Sequence, residues 1–401
     1  MTASPRDVDI LVSGGGIAGL SAAAAFGSAG FSVICVDPAS PVTSREDVGA
    51  DLRTTAFLQP SRKVLEDAGL WDRLAPHATP LQTMRIIDVG GPLAEPRLVK
   101  DFDADELSDL PFGWNLPNWL LRREMAARLA DLPNVDFRPG IATTSLLTRE
   151  REALVTLSDG ARIRTRLLIA ADGRASPMRE ALGIRVTTTR FGQKAMAFAV
   201  THPEPHQNVS TELHRSGGPF TLVPLPDHDG KHASGVVWMH EGPEIVRLAA
   251  LPVPAFEAEM SARSCNVLGP LTLASRRSVW PIICQIADRM AGERTALMAE
   301  AAHVVPPIGA QGLNMSLADL RALLDLAIAR PAGLGDAAML QAYHRARHRE
   351  VQIRVAGVEM LNRASMLGAQ GLRDLRAGAL NALYSLAPVR QTLMKAGLGV
   401  R

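Results

Sequence analysis

The 401-residue sequence predicts an α/β fold built from more than one structural unit. Three observations carry this. A Gly-rich turn interrupts an apolar run near the N-terminus, and two strand-to-loop-to-helix segments recur far downstream. Between them lie stretches of alternating strand pattern broken by Pro and Gly. The length exceeds what one hydrophobic core organises, and 47% hydrophobic with 21% charged residues is ordinary globular composition. A net charge of +2 supplies no overall field for nucleic acid, so nucleic-acid binding is not expected. Cys35, Cys265 and Cys284 are an odd count without metal-like spacing. They read as buried thiols in a reducing compartment, with no metal site.

The first residues lack the basic start and cleavable apolar core of a signal peptide, so cytoplasmic residence is the expectation. Ile10 to Val36 is 27 residues without a charge, long enough for a membrane span. Its six glycines and four serines instead break it into strand, turn, helix and strand. Asp9 to Ser13 is a buried parallel strand, and Gly14, Gly16 and Gly19 match GxGxxG, with Ile17 and Ala18 between the last two. Gly14 makes the tight turn, Gly16 lets backbone approach a pyrophosphate, and Gly19 packs helix on strand. The helix runs from Ile17 to Ala29, Gly30 caps it, and a strand from Phe31 to Val36 ends on Asp37. Asp37 lies 18 residues beyond Gly19, close to the spacing for a ribose contact. FAD and NAD sites use the same physics, so this motif leaves the dinucleotide open.

Two further segments narrow it. An apolar strand from Arg166 delivers Asp172-Gly173, and a helix begins through Ser176 and Pro177. Downstream, a strand from Thr295 reaches Glu300, a loop with Pro306, Pro307 and Gly309 follows, and a helix opens near Gly312. In that loop Gly309, Gly312 and Asn314 let backbone amides face a ligand at a helix N-terminus. His303, alone beside Ala301 and Ala302, reads as a packing residue.

At this point the sequence resembles the class A flavoprotein aromatic hydroxylases, and within them the ubiquinone-biosynthesis hydroxylase family. Five matches in order cover nearly the whole chain: the Gly14 to Gly19 turn, Asp51 to Thr55, Asp172-Gly173, Ala299 to Asn314, and Leu361-Asn-Arg363. The resemblance implies an FAD domain of the glutathione-reductase-like and p-hydroxybenzoate-hydroxylase-like kind, with an inserted antiparallel β-sheet substrate domain and a C-terminal helical segment. Gly14, Gly16, Ile17, Ala18, Gly19 and Asp37 would hold the adenosine diphosphate half. Arg53 would lie along the phosphates and ribityl, helped by Asn118 to Arg122. Asp172 would stand at the pyrophosphate end near the path of NADPH or NADH. Glu300 takes the slot of the family's Gly-Asp acid, on the ribityl, although Ala299-Glu300 replaces Gly-Asp here. Pro307, Gly309 and Gly312 would act on the flavin side through backbone, with Leu313 and Asn314 beside them.

The divisions expected are 1–77, 114–183 and 281–337 for the FAD domain, 78–113 and 184–280 for the substrate domain, and 338–401 for the helical segment. Phe198, Phe220, Pro224 and Trp238 are the expected substrate-pocket residues, from strands at Lys194 to His202, Phe220 to Leu225 and Ala233 to His240. No tyrosine precedes Tyr343, so a tyrosine relay from the substrate domain is excluded; His202, His206 and His214 are candidates for phenol deprotonation by type alone. Residues 351–401 carry Lys or Arg at 354, 363, 373, 376, 390, 395 and 401 against Glu359 and Asp374. This basic tail reads as a peripheral contact with the inner face of a membrane or with a partner, the alternative being a docked solvated helix.

The implied activity is hydroxylation of an aromatic ring by NAD(P)H and O2 through a flavin C4a-hydroperoxide, on a polyprenylated phenol of ubiquinone biosynthesis. The same motifs accommodate a flavoenzyme for another small hydrophobic or aromatic substrate, and a weakly FAD-binding, non-catalytic partner in a biosynthetic complex.

Overall fold

The computed structural model describes residues 6–47, 49–90 and 95–399; residues 1–5 and Arg401 of the basic tail lie outside them. The apolar N-terminal segment forms strand Arg6–Ser13, which pairs in parallel with Val33–Asp37 on one side and Arg162–Ala170 on the other. Val135–Pro139 and Thr295–Leu297 extend the parallel run at its two ends, and the hairpin Thr143–Arg149 with Glu152–Leu157 adds antiparallel to Arg162–Ala170. Strands buried on both faces need apolar cover, and Leu20, Leu121, Leu129, Leu320 and Leu323 of helices Ile17–Ser28, Asn118–Ala130 and Gln311–Ala329 join their core. The uncharged N-terminal run is thus strand, turn, helix and strand. Among the described residues no helix is long and apolar enough to cross a membrane.

The second sheet has nine strands. From one edge to the other the order is His303–Val304, Ser278–Ala287, Val186–His202, Lys231–Glu241, Pro219–His228, Val209–His214, Thr83–Asp88 and Leu98–Asp103, with Thr272–Leu273 beside Val186–His202. Neighbours are antiparallel except Val209–His214 with Thr83–Asp88. Two expected divisions shift: Ser278–Ala287 carries this sheet past residue 280, and Thr79–Leu81 pairs instead with Gly113–Pro117 in a small third sheet with Thr54–Leu58.

Period-2 alternation gives this sheet two faces. Phe198, Phe220, Leu222 and Trp238 point to one, where Ile245 and Leu248 of helix Gly242–Ala250 and Phe256 and Met260 of helix Val253–Arg263 cover them. Phe198 meets Phe256 edge-on at 5.1 Å between centroids, and Phe220 meets Trp238 at 5.2 Å. The expectation that Phe198, Phe220 and Trp238 line a substrate pocket is therefore overturned: they are 0–3% exposed core. Pro224 is buried too, and its carbonyl accepts from Asn115 Nδ2.

Helices Ala337–Ser365, Gln370–Ser385 and Ala387–Leu398 close the chain. Two arginines of this segment turn inward: Arg376 pairs with Asp88 at 2.9 Å and Arg390 with Glu106 at 2.7 Å, while Arg363 stays exposed and pairs with Glu359 within its own helix at 2.7 Å. Tyr384 donates to the Asp101 carbonyl. The outward face keeps Leu372, Leu375, Leu383 and Leu386, all 45–68% exposed. Met394 and Leu398 pack on Leu58 and Phe112. The tail is thus docked through Arg376 and Arg390 and presents a leucine ridge, with Arg363 and Lys395 still exposed.

Candidate functional site

Where the two sheets face each other lies a cavity of about 690 Å³. The Gly-rich turn forms one end. Gly14 has φ +106°, and a Cβ there would stand 2.3 Å from the Ala171 carbonyl oxygen. A Cβ on Gly19 would stand 1.8 Å from the Gly14 oxygen, so the helix reaches the strand only because both are glycine. Gly16 differs: a Cβ there would meet no atom within 4 Å, because it borders the cavity. Its bare backbone is turned to the cavity rather than to protein.

Asp37 sits beside this turn, accepting from Gly15 N at 2.6 Å and Ala39 N at 2.8 Å, and it borders the cavity with Ile17 and Ala18. Arg53 forks onto Asp51 at 2.8 and 2.7 Å and stacks over Trp280 at 5.5 Å. That pairing raises the guanidinium's pKa and, against burial, holds the Asp51 carboxyl below its usual range. Asn118 Nδ2 donates to Asp51 at 3.0 Å, and Arg122 lines the same wall. Burial raises the pKa of Asp172; its Oδ2 accepts from Met178 N at 3.3 Å while Oδ1 is buried without a protein partner. Glu300 reaches the cavity 3.4 Å from Arg174. Ala299 before it adopts φ +55°, a left-handed conformation that costs a side chain about 1–2 kcal/mol.

The flavin-side loop carries Pro307, Gly309, Gly312 and Leu313 along the opposite wall. Helix Gln311–Ala329 begins after Ala310 without a side-chain cap, as helix Ile17–Ser28 begins after Gly16, so first-turn N–H groups of both remain available to an anion. Asn314 is a correction: it does not line the cavity. Its Oδ1 accepts from Leu58 N at 2.9 Å and its Nδ2 donates to the Ala56 and Ala310 carbonyls, which ties the loop to strand Thr54–Leu58. Gly19 likewise acts through packing rather than contact. His303 lies in the cavity wall with Nε2 2.6 Å from Asp319, whose other oxygen accepts from Arg347 Nε at 2.8 Å. Burial works against the Asp319 charge, yet His303 and Arg347 hold its pKa below the ordinary value.

One wall of the cavity escaped the sequence reading. It is the other face of the second sheet, with Met84, Ser210, Glu212, Thr221, Val223 and Val237, beside Trp280 and Ile282. The signal was present as alternation: Thr221 and Val223 stand between Phe220, Leu222 and Pro224. His202 and His206 do not reach this wall; His202 bonds Ser234 and the Glu204 carbonyl. Of the cysteines, Cys35 and Cys284 are buried, and burial pushes the Cys284 thiol up to about 12, while Cys265 is only partly covered.

These features fit FAD. An uncovered glycine backbone, two uncapped helix N-termini, a buried carboxylate oxygen without a partner and a cavity-facing arginine are what a dinucleotide with a flavin ring requires. The comparisons agree. A family model described as FAD binding domain matches residues 7–357. The ubiquinone hydroxylase UbiL of Rhodospirillum rubrum is 30% identical over 394 residues, covering 98% of this chain and 89% of that one. The 3-demethoxyubiquinol 3-hydroxylase of Escherichia coli is 25% identical, with 100% of both chains covered. Among solved structures, the p-nitrophenol 4-monooxygenase PnpA of Pseudomonas putida superposes with a TM-score of 0.80 over 99% of each chain at 18% identity, a likeness of fold. With the family model spanning most of its length and a cavity shaped for the cofactor, this chain belongs to the FAD-binding monooxygenase family.

Proposed function

We propose that this enzyme hydroxylates the ring of a polyprenylated phenol or quinol on the route to ubiquinone. The observation that supports this most is the continuity of the cavity: it runs without a break from the Gly14 turn to a wall of Met84, Val223, Val237 and Ile282. When bound, FAD supplies the two-electron chemistry that takes reducing equivalents from NADPH or NADH and transfers one atom of O2 to the ring. The chain's own residues bind, orient and exclude water. Amides of the Gly14 to Gly19 turn take the pyrophosphate, Asp37 a ribose hydroxyl, and Arg53 and Glu300 the phosphates and ribityl. Amides near Gly309, Gly312 and Leu313 oppose negative charge on the flavin ring. The apolar sheet wall holds the substrate ring and keeps it dry.

The relatives named above for ubiquinone chemistry support a prenylated substrate, and the leucine ridge supports peripheral contact with the inner face of a membrane. That contact would be mainly apolar, because Arg376 and Arg390 face inward and leave the leucines outermost. A biosynthetic complex is the rival use of the same ridge. The test is the visible spectrum of the protein purified without added cofactor, then NAD(P)H oxidation with and without a prenylphenol, then flotation with uncharged phosphatidylcholine vesicles. Flavin bands near one per chain with phenol-stimulated oxidation support the proposal. A colourless chain that takes up no FAD overturns it, and L375E/L386E floating as well as the parent overturns the membrane contact.

A further inference from the structure

We propose that Glu212, backed by His214, is the base that receives the ring-hydroxyl proton of the substrate; this rests on the hydroxylase reading above. Strand Val209–His214 places Glu212 and His214 two residues apart, hence on one face. His214 Nε2 stands 2.7 Å from Glu212 Oε1, and the side chains are 17% and 19% exposed. Register fixes the surroundings. Glu212 lies between Thr221 and Ile86, and the row beside it, Val223, Ser210 and Met84, is mostly apolar. A carboxylate in such a wall needs a partner. His214 supplies one to Oε1, while no donor among the described residues reaches Oε2, and Glu212 borders the cavity.

The alternatives are occupied or stand away from this wall. Tyr343 is buried and donates to the Leu297 carbonyl, and Tyr384 donates to Asp101 on the far side of the sheet edge. His303 is the other ionisable group that strands of this sheet bring to the cavity; its Nε2 is held by Asp319 and its Nδ1 has no protein partner among the described residues, but it stands at the flavin-side loop and not on the wall of Met84, Ser210 and Val223. Asp37, Asp51, Arg53, Arg122, Asp172, Arg174 and Glu300 cluster where the cofactor binds. As the ring accepts the incoming oxygen, its hydroxyl O–H bond breaks, the electron pair stays on the ring oxygen, and the proton forms an O–H bond to Glu212 Oε2. No electron transfer belongs to this step. His214 holds the carboxylate in place and is a positioning residue.

The experiment uses FAD-loaded E212Q and H214Q. Glutamine keeps the size and one acceptor oxygen, and flavin content with the thermal midpoint reports folding. Removal of a positioned base lowers rates about 10²- to 10⁴-fold. The expected result is a loss of that order in hydroxylation kcat for E212Q, with KM within about threefold and a smaller loss for H214Q. A second readout needs binding alone. A carboxylate beside a bound phenol disfavours its phenolate, so bound 4-nitrophenol should turn yellow at higher pH in the parent than in E212Q. Parent hydroxylation matched by E212Q within threefold, or the same dye titration in both, overturns the role of Glu212 alone. A parent that hydroxylates no phenol overturns the activity and this assignment with it.

Discussion

Replacing Asp319 by Asn should cost the protein a large part of its stability. The carboxylate is 0% exposed, 2.6 Å from His303 Nε2 and 2.8 Å from Arg347 Nε, and those side chains are themselves 1% and 5% exposed. Asparagine keeps the shape but removes the charge, leaving Arg347 buried with only Glu350, at 2.6 Å, as counter-ion. Breaking such a buried pair costs about 3–5 kcal/mol, against a total stability of about 5–15 kcal/mol. The assay is urea unfolding of the holoprotein followed by tryptophan fluorescence, with the midpoint falling and the slope unchanged. Because the folded pKa of Asp319 is depressed, its contribution is present above the unfolded value and lost as pH falls through the folded value. The gap between parent and D319N should therefore be widest near neutrality and close in acid. A double mutant with R347Q should cost less than the two single losses together, since the orphaned cation is gone. A loss below about 1 kcal/mol, or a gap that stays constant into acid, would refute the reasoning.

Three further outcomes follow from the geometry. G16A should fold as the parent does yet bind FAD at least about tenfold more weakly, about 1.4 kcal/mol, whereas G19A should lose folded yield, since its Cβ would stand 1.8 Å from the Gly14 oxygen; flavin content and thermal midpoint separate them, and equal behaviour of the two sinks the assignment. D172N should raise the thermal midpoint of the FAD-free protein at neutral pH while weakening FAD retention. The raised folded pKa of Asp172 makes its ionised form a penalty that appears above the unfolded pKa and vanishes in acid, so a gain that persists in acid contradicts this. R376A/R390A should release the last two helices from Asp88 and Glu106, read as faster cleavage within residues 366–399 in limited proteolysis, and an unchanged rate argues that Tyr384, Met394 and Leu398 suffice to hold them.

How far the site could be read from sequence follows the range of the forces involved. The Gly14 to Gly19 turn was legible because its demands are local: a positive φ, a 1.8 Å approach and a helix start all fall within six residues. Asp37, Arg53, Asp172 and Glu300 were legible through motif order, and they do meet at one cavity. The sheet wall was not. Alternation in Phe220 to Leu225 announces two faces without saying which one meets the flavin domain, and size alone points to the larger aromatics, which belong to the core. What decides it is helix Gly242–Ala250 with Val253–Arg263, which lay inside a stretch read as strands and which claims Phe198, Phe220 and Trp238 for the core. In the tail, helical spacing was visible but docking could not be told from a free surface, because the partners of Arg376 and Arg390 lie 288 and 284 residues away.

The departure at Ala299-Glu300 divides into two separate physical questions. Position 299 is held at φ +55° because Met298 N donates to Ala170 and Ala302 N returns to Ala299, bending the chain away from the sheet just where the acid must enter the cavity. Glycine would adopt that turn freely, so alanine there carries a conformational penalty, partly offset by its buried methyl. Position 300 sets only reach. Its carboxylate still borders the cavity beside Arg174, so the longer side chain keeps an acceptor at the cavity. The residue at 299 therefore acts on the folded chain and the one at 300 on how far an acid reaches into the cavity. Strain at Ala299 and at Ala310, also φ +55°, brackets the flavin-side loop, where rigid surroundings rather than residue preference fix the backbone.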